Sequence, residues 1–237
     1  MDRELRQRGL VRSRSEAVDL IAAGRVRVNN EIATSRAIPV SPDDTLEVDA
    51  GPRFVGRGGY KLCAVLSAFE ISVVGKVCLD VGSSTGGFTD CLLQEGASGV
   101  VAVDVGRDQL AAELRHDPRV REMQATDIRS LAAADIGGPF SLVVVDVSFI
   151  SVTRLAETIA GMTAPGGEAV ILVKPQFEVG REAVGRGVVR TGEEREKALL
   201  GVVSTFGYAG FDSLRTMESP VVGEAGNREY FLWMRKR

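Results

Sequence analysis

The sequence predicts two domains: a small N-terminal α+β domain and a larger α/β domain built on a Rossmann-like parallel sheet. Apolar, strand-like segments alternate with helical ones from about residue 60 onward. A stretch rich in Gly and Pro, without periodicity, precedes them. The 237 residues, 44% of them hydrophobic, also exceed the usual size of a single domain. We therefore expect a first domain at residues 1–49, a linker at 50–59 and a second domain at 60–237.

The first domain has one clear helix signal followed by strand signals. Ser13-Arg-Ser-Glu16 fits a capping box and precedes apolar residues at helical spacing, and Gly24 is a stop signal. Residues 25–28 alternate with a period of two, and two Asn residues can then form a turn into a return strand at 31–33. A third strand is expected at 46–48.

Basic charge is concentrated in the first domain. Residues 1–40 contain eight Arg against five Asp or Glu, although the whole chain has a net charge of −3. A basic module at one end is typical of an electrostatic contact with nucleic acid. The candidate RNA-binding residues lie at the start of the helix and on the first strand of the hairpin: Arg12, Arg14, Arg25 and Arg27.

The second domain is predicted to begin with a helix at about Tyr60. Strands are then expected in VCLDV, VVAVDV, VREMQA, SLVVVDV and AVILVKP, with FTDCLLQ, DQLAAELR and residues 152–162 as helices between them. After Lys174 a charged, Gly-rich stretch is expected to form a mobile loop. A helix at 193–206 and strands in SLRTMES and EYFLWMR complete the domain.

Composition argues against several classes of protein. No apolar run approaches the roughly 18 residues of a membrane span, and the first residues have no apolar segment of a signal peptide. Cys63, Cys78 and Cys91 lie far apart, so neither a zinc site nor a disulfide framework is indicated, and His116 is expected at the surface. We expect a cytoplasmic protein that needs no metal.

A Gly-rich loop follows the first strand of the second domain. Its glycines would let the backbone approach a ligand at the carboxyl end of the sheet. The spacing DxGxxxGG differs from GxGxxG and favours S-adenosylmethionine over a dinucleotide, although a purely structural turn is the alternative. The candidate cofactor-binding residues of the loop are Asp80, Gly82, Ser83, Gly86, Gly87 and Phe88. Asp104 could accept bonds from ribose hydroxyls, and Asp127 from an adenine amino group.

Two charged residues lie at the ends of the fourth and fifth predicted strands of the second domain. Asp146 ends SLVVVD and Lys174 ends AVILVK, so both are expected to face the crevice above the Gly-rich loop. A Lys after four apolar residues is costly to desolvate unless a carboxylate pairs with it. These residues are therefore candidates for catalysis, with a structural ion pair as the alternative.

Several long blocks resemble the TlyA family of ribosomal RNA 2′-O-methyltransferases, whose catalytic part is similar to the FtsJ methyltransferases. The blocks are FVGRGGYKL, CLDVGSSTGGFTDCLL, AVDVGRDQL, DPRV, VVVDVSFIS, LVKPQFEVG and SPVVGEAGNREYFLW. RGLVRSRSEAVDLIAAGRVRVN resembles the RNA-binding domain shared by ribosomal protein S-four, pseudouridine synthases and tyrosyl-tRNA synthetases. The resemblance implies an S-adenosylmethionine-dependent methyltransferase domain and a ribosomal RNA or ribosomal subunit as partner.

The resemblance also implies a catalytic tetrad. FtsJ-like enzymes use Lys, Asp, Lys and Glu, and the matching positions here are Lys61, Asp146, Lys174 and Glu229. Lys174 is the candidate for activating the ribose hydroxyl, with Asp146 orienting it and stabilising the sulfonium, and Lys61 and Glu229 positioning the ribose. Lys61 and the sulfonium would favour a neutral Lys174 amine, whereas Asp146 would favour the ammonium, and the sequence leaves this open.

Three departures from the family pattern leave the tetrad intact. Gly56 stands where Ser is usual, Arg107-Asp108 replaces Tyr-Gly, and Asp127 replaces Asn. Short members of the family methylate cytidine in large-subunit RNA, and this chain has no long terminal extension, so we expect the large subunit as the main target. The weighed alternatives are a membrane-active haemolysin, a non-catalytic RNA-binding factor and a nicotinamide dehydrogenase.

Overall fold

The computed structural model describes residues 1–11, 14–22, 24–33, 35–49, 53–180, 182, 184–185, 187–223 and 226–237. These residues form two compact units, Met1–Arg53 and Phe54–Arg237. No helix within the described ranges is long and apolar enough to cross a membrane.

The first unit is a small α+β domain, as predicted. Helices α1 (Asp2–Gln7) and α2 (Arg14–Ala22) precede strands β1 (Val26–Val28), β2 (Glu31–Ile32) and β3 (Leu46–Val48). The strands are antiparallel in the order β2-β1-β3, and both Asn residues of the β1–β2 turn have positive φ, as the tight hairpin requires. Helix α1 was not expected; it contributes the fully buried Leu5 to the core.

The predicted helix and turn signals of this unit are confirmed where they are described. Gly24 has φ +68° and ends helix α2, with its amide donating to the carbonyl of Ile21. The buried face of the helix consists of Ala17, Leu20 and Ile21. Arg12 and the capping-box residue Ser13 lie outside the described residues.

The second unit is organised around a seven-stranded sheet of its described residues, in the order β11-β12-β8-β7-β4-β5-β6. The strands are β4 (Val77–Val81), β5 (Gly99–Val103), β6 (Val120–Met123), β7 (Phe140–Val145), β8 (Thr163–Val173), β11 (Phe211–Glu218) and β12 (Tyr230–Lys236). The five strands from β6 to β8 are parallel, which confirms the Rossmann-like prediction. Strands β12 and β11 extend the sheet in antiparallel pairing.

Helices cover this sheet, and a small hairpin lies between β8 and β11 in the sequence. The helices are α3 (Arg57–Phe69), α4 (Gly87–Gln94), α5 (Ala112–Arg115), α6 (Ala156–Met162), α7 (Pro175–Glu178) and α8 (Gly192–Tyr208). The stretch after Lys174, expected to be a loop, contains α7 and the short antiparallel strands β9 (Val184–Gly185) and β10 (Val188–Val189). The helix expected over DQLAAELR is limited to the four residues of α5.

The central strands β4, β5 and β7 bury both faces, so they read as nearly continuous apolar runs in the sequence. Along β7, Val143 and Val145 pack in one cluster with helices α6 and α8, whereas Leu142 and Val144 pack in another with α3 and α4. The twofold alternation of strand side chains produces these two layers.

The start of the second unit differs from the predicted boundary. Helix α3 begins at Arg57, three residues before the expected Tyr60, and Phe54 is buried among α3 and α4 residues. Residues 54–59, expected in the linker, therefore lie within the second unit. The reason is close packing: a Cβ on Gly59 would overlap the Phe54 ring, and a Cβ on Gly87 of α4 would crowd the backbone of Gly58 and Gly59 in α3. The Gly-rich composition therefore serves packing.

Candidate active site

A cleft of about 910 Å³ opens at the carboxyl ends of the parallel strands. Each strand contributes the loop that follows it: residues 81–88 after β4, 103–105 after β5, 126–129 after β6, 146–150 after β7 and 174–177 after β8. Lys61 of α3 and Glu229, just before β12, also line the cleft. This volume suits a small-molecule ligand.

The Gly-rich loop is shaped by contacts within the protein. Gly82 has φ +87°, and a Cβ there would overlap the backbone carbonyl of Asp146. Gly86 has φ +97°, and its Cβ would overlap the side chains of Leu110 and Leu114. The sequence predicted that these glycines leave space for a ligand. Positive φ and close packing between neighbouring loops also require glycine at both positions, and the approach of a ligand stays a prediction.

Two other residues of the loop face the cleft, and Gly87 brings two helices together. Ser83 and Phe88 line the cleft, and both side chains are almost fully buried. Gly87 also lines it, and its Cα lies where α4 meets α3, because a Cβ there would crowd the backbone of Gly58 and Gly59. The loop therefore presents backbone and small side chains to a ligand.

Asp80 lies beneath this loop and is not among the residues that line the cleft. It is fully buried, and its Oδ2 accepts a 2.7 Å bond from the Thr89 hydroxyl, while Oδ1 has no partner among the described residues. Burial raises the pKa of Asp80 to about 7, and the nearby charges of Asp146 and Asp104 act in the same direction. Asp80 therefore supports the loop from below, and a contact between Asp80 and the cofactor stays a prediction.

Asp104 and Asp127 line the cleft as expected, but each already has partners. Asp104 accepts the amides of Ser84 at 2.8 Å and Gly106 at 2.7 Å, which fixes its carboxylate at the end of β5. Asp127 caps a 3₁₀ turn and forms a 2.6 Å ion pair with Arg129. The bonds from Arg129 hold the pKa of Asp127 below its usual range.

No sequence pattern indicates the apolar side chains in this part of the cleft. Val105, in the loop after β5, is 73% exposed, and Ile128, in the loop after β6, is buried. Both follow an acidic residue that the sequence did single out. Apolar residues in loops after strands are common, so their position beside a ligand site is visible only in the structure.

The four tetrad residues form two ion pairs. Lys174 Nζ lies 2.6 Å from Asp146 Oδ1, and Lys61 Nζ lies 2.5 Å from Glu229 Oε2. The second pair is more deeply buried, with side chains 10% and 3% exposed. Two cations and two anions in one cleft give a site that is locally neutral and strongly polar.

Lys174 has a further partner that the sequence did not indicate. Its Nζ donates to Ser148 Oγ at 2.7 Å, so the lysine bridges two residues of the loop after β7. Phe149, the next residue, is 92% exposed and has φ +67°, a conformation that is costly for a bulky side chain. Its ring lies 5.6 Å from that of Phe177, which follows β8.

Asn227 connects the site to the β9–β10 hairpin. Its Nδ2 donates to the carbonyl of Gly187 at 2.8 Å, and its Oδ1 accepts the amide of Val189 at 3.3 Å. Asn227 is buried two residues before Glu229. The charged stretch that appeared as a loop in the sequence is thus attached to the cleft.

The Arg residues proposed for RNA binding lie in the first unit. Arg14 pairs with Asp2 at 2.8 Å, and Arg27 donates to the carbonyl of Asn30 at 3.0 Å. Arg25 also has an interaction partner, and Arg12 lies outside the described residues. Any phosphate contact by Arg14 or Arg27 must share the guanidinium with these intramolecular bonds.

A parallel sheet with a Gly-rich loop and a paired lysine at its carboxyl edge defines a methyltransferase of the Rossmann-like class. Known proteins agree with that assignment. The FtsJ-like methyltransferase family matches residues 54–236, and the S4 domain family matches residues 2–46. The chain belongs to the TlyA family of FtsJ-like methyltransferases.

Three relatives illustrate the similarity. The 16S/23S rRNA (cytidine-2′-O)-methyltransferase TlyA of Mycobacterium tuberculosis is 46% identical, over 99% of this chain and 89% of its own. The 23S rRNA (cytidine-2′-O)-methyltransferase TlyA of Campylobacter jejuni is 31% identical, over 93% of each. A solved structure of a hemolysin from Streptococcus thermophilus is 38% identical with a TM-score of 0.76, covering 99% of this chain and 87% of that one.

Proposed function

We propose that this protein transfers a methyl group from S-adenosylmethionine to the ribose 2′-hydroxyl of cytidine in ribosomal RNA. The observation that carries the proposal is the Lys174–Asp146 pair, held at 2.6 Å at the strand ends beside the Gly-rich loop. The activities for which the two methyltransferase relatives are named support the same reaction. Ribosomal subunits are the proposed partners, and the cytoplasm is the proposed location.

The cleft fits the cofactor in size and in chemistry. Asp104 is rigidly held and keeps lone pairs for ribose hydroxyls, and Asp127 can accept from an adenine amino group beside Val105 and Ile128. Gly82, Ser83, Gly87 and Phe88 would border the amino-acid part, with Asp80 and Gly86 supporting the loop. Bound there, S-adenosylmethionine supplies an electrophilic methyl group on a sulfonium.

We assign the proton transfer to Lys174. As the neutral amine, its Nζ accepts the proton of the 2′-hydroxyl, which makes that oxygen a better nucleophile. Asp146 and Ser148 hold Nζ from two directions, so the amine is oriented before the RNA arrives. Asp146 also places a negative charge near the sulfonium and the ammonium that forms.

Lys61 and Glu229 are assigned to ribose positioning. An ammonium group has three donor hydrogens, so Lys61 can donate to a ribose oxygen in addition to its bond with Glu229. Glu229 can accept from a ribose hydroxyl through its second carboxylate oxygen. Because this pair is buried, its two side chains are fixed in place.

Phe149 is assigned to the target base. An exposed aromatic ring next to Ser148 and Lys174 offers a stacking surface for a nucleotide whose ribose must reach the amine. Its positive φ is a local strain of the kind found at functional sites.

The first unit is assigned to docking on RNA. Arg12, Arg14, Arg25 and Arg27 are the proposed phosphate contacts, and the S4 family match over residues 2–46 supports an RNA-binding role. We propose large-subunit RNA as the main substrate, because 23S RNA is common to the names of both methyltransferase relatives, whereas 16S RNA is in only one.

The proposal is tested by incubating the protein with labelled cofactor and isolated 50S or 30S subunits, then mapping 2′-O-methyl positions. We expect incorporation into the large subunit at cytidine, and none with Lys174→Ala, whose cofactor and RNA affinities should stay near those of the wild type. Glu229→Ala should lose less activity. Absence of incorporation into either subunit refutes the function, and equal incorporation into both refutes the subunit preference.

A membrane-active role is a separate hypothesis raised by the hemolysin name of a relative. Purified protein added to dye-loaded vesicles distinguishes the two. We expect no dye release at concentrations that methylate ribosomal RNA.

A further inference from the structure

Glu178 lies at the end of the helical turn that begins after Lys174. Helix α7 contains four residues, with Lys174 as its N-cap and Glu178 as its last residue. Glu178 Oε2 accepts from Ser151 Oγ at 2.5 Å, and Oε1 accepts the Val152 amide at 2.8 Å. Glu178 is half-buried and is not among the residues that line the cleft. Both of these side-chain hydrogen bonds are with the segment that follows β7.

That loop is therefore held at both ends by one turn of helix. Lys174 bonds Asp146 and Ser148 at the beginning of the segment 146–152, and Glu178 bonds the end of it. We call this segment the β7 loop. Bonds to a charged carboxylate are among the stronger hydrogen bonds in proteins.

The β7 loop needs such restraint because of its backbone conformation. Phe149 has φ +67° with its ring 92% exposed, so apart from the 5.6 Å contact with Phe177 little holds its side chain in place. A strained conformation persists only where the surrounding structure holds it. The bonds of Glu178 lie two and three residues after Phe149, and the bond of Lys174 lies one residue before it.

Ser151 connects Glu178 to the 3₁₀ turn that follows the β7 loop. Its Oγ, which donates to Glu178, also accepts from the Thr153 amide at 3.3 Å and caps the 3₁₀ turn Val152–Leu155. The Val152 amide, one of the open donors at the start of that turn, is satisfied by Glu178. The carboxylate thus anchors the β7 loop to a turn whose Val152 and Leu155 are in the core.

We propose that Glu178 is a positioning residue for methyl transfer, whose carboxylate fixes the β7 loop so that Ser148 and Phe149 are correctly placed against Lys174. This rests on the proposed function. Glu178 touches neither the reacting atoms nor the tetrad, and it acts through the loop. The geometry predicts a defect in the chemical step, with cofactor binding left intact.

The test compares Glu178→Ala with Glu178→Gln in the full-length protein. Under single-turnover conditions with saturating cofactor and ribosomal subunits, Glu178→Ala should lower the rate constant by about 100-fold, the scale of a misplacement of about 1 Å. Glu178→Gln should recover most of it, because the amide oxygen can still accept from Val152 and the shape is kept. Calorimetry should give an unchanged cofactor affinity for both.

Glu194→Ala is the matched control. Glu194 also makes a side-chain bond at a helix start, accepting from Thr191 at 3.1 Å in α8, but it does not line the cleft or contact the β7 loop. Its rate constant should equal that of the wild type. In a Phe149→Ala background the effect of Glu178→Ala should shrink, because both changes act on the same loop.

Hydrogen exchange tests the loop independently of catalysis. Glu178→Ala should speed exchange of the amides in residues 147–152 and leave α8 unchanged. If Glu178→Ala shows the same exchange rates in the loop as the wild type, or the same single-turnover rate, the proposal is overturned. A rate loss that only parallels lost cofactor binding and thermal stability also overturns it, since that is a general folding defect. Failure of the wild-type protein to methylate RNA would refute the proposed function, while the exchange result would still decide whether Glu178 holds the loop.

Discussion

The Lys61–Glu229 pair gives a quantitative test of how the site is held together. The two side chains are 10% and 3% exposed, and the charged atoms lie 2.5 Å apart. Glu229→Ala removes the carboxylate and leaves the Lys61 ammonium buried without that counter-charge. Breaking a buried pair from one side costs about 3–5 kcal/mol, so we expect a loss of that size in the free energy of unfolding.

An exposed pair nearby sets the scale for comparison. Arg228 and Glu218 are 60% and 46% exposed with their atoms 3.5 Å apart. Water screens such a pair, and its contribution to stability is about 0–1 kcal/mol. Glu218→Ala is therefore the matched control, since it removes the same chemical group from an ion pair that differs in burial.

Urea unfolding followed by Trp233 fluorescence is the assay. Trp233 is the sole Trp of the sequence and lies in β12, so its signal reports on the second unit. The free energy is obtained by linear extrapolation. A double variant, Lys61→Met with Glu229→Leu, should regain most of the stability without methyl transfer, because an apolar pair can replace a buried ion pair.

If Glu229→Ala unfolds at the same urea concentration as Glu218→Ala, the buried-pair reasoning is wrong. Recovery of stability by the double variant together with full methyl transfer would refute the role of the pair in ribose positioning.

Three further predictions concern the loop, its support and the RNA-binding unit. Gly82→Val should abolish cofactor binding measured by calorimetry, because Gly82 has φ +87° and its Cα lies against the backbone of Asp146, which excludes a side chain. Wild-type affinity in this variant would contradict the prediction. The raised pKa of Asp80, about 7 against 3.8, means that the folded state retains a proton which the unfolded state has lost. The contribution of Asp80 to the free energy of unfolding should therefore fall as pH rises from about 4 to about 7. Asp80→Asn should remove that part of the pH dependence of urea unfolding. An unchanged pH profile in this variant would contradict the prediction. Replacing Arg14, Arg25 and Arg27 by Glu should weaken ribosomal RNA binding and flatten its salt dependence, whereas equal affinity at all salt concentrations would exclude these residues as phosphate contacts.

Much of the fold and the position of the site follow from local sequence patterns. Alternation of apolar strands with helices predicts a parallel sheet, and the carboxyl ends of parallel strands meet at one edge. Asp104, Asp146 and Lys174 each follow a strand directly, and Asp127 comes four residues after the end of β6, so their convergence on one cleft could be predicted without knowing any contact.

The tertiary structure decided what each of these residues touches. Lys61 and Glu229 are 168 positions apart, and no local pattern indicates that they pair. Asp80 and Gly86 belong to the predicted loop, yet packing against neighbouring elements turns them away from the cleft. The positive φ of Phe149 gives no sequence signal.

The physical reason is the range of the forces involved. Periodicity, turn preference and strand ends depend on neighbours along the chain, so most element types, the sheet edge and the charged residues at that edge could be predicted from the sequence. Strand order, the pairing of distant charges and the anchoring of the β7 loop by Glu178 depend on which elements become neighbours in space. Those contacts arise only when the whole core packs, and they decided which residues line the cleft and which lie behind its lining.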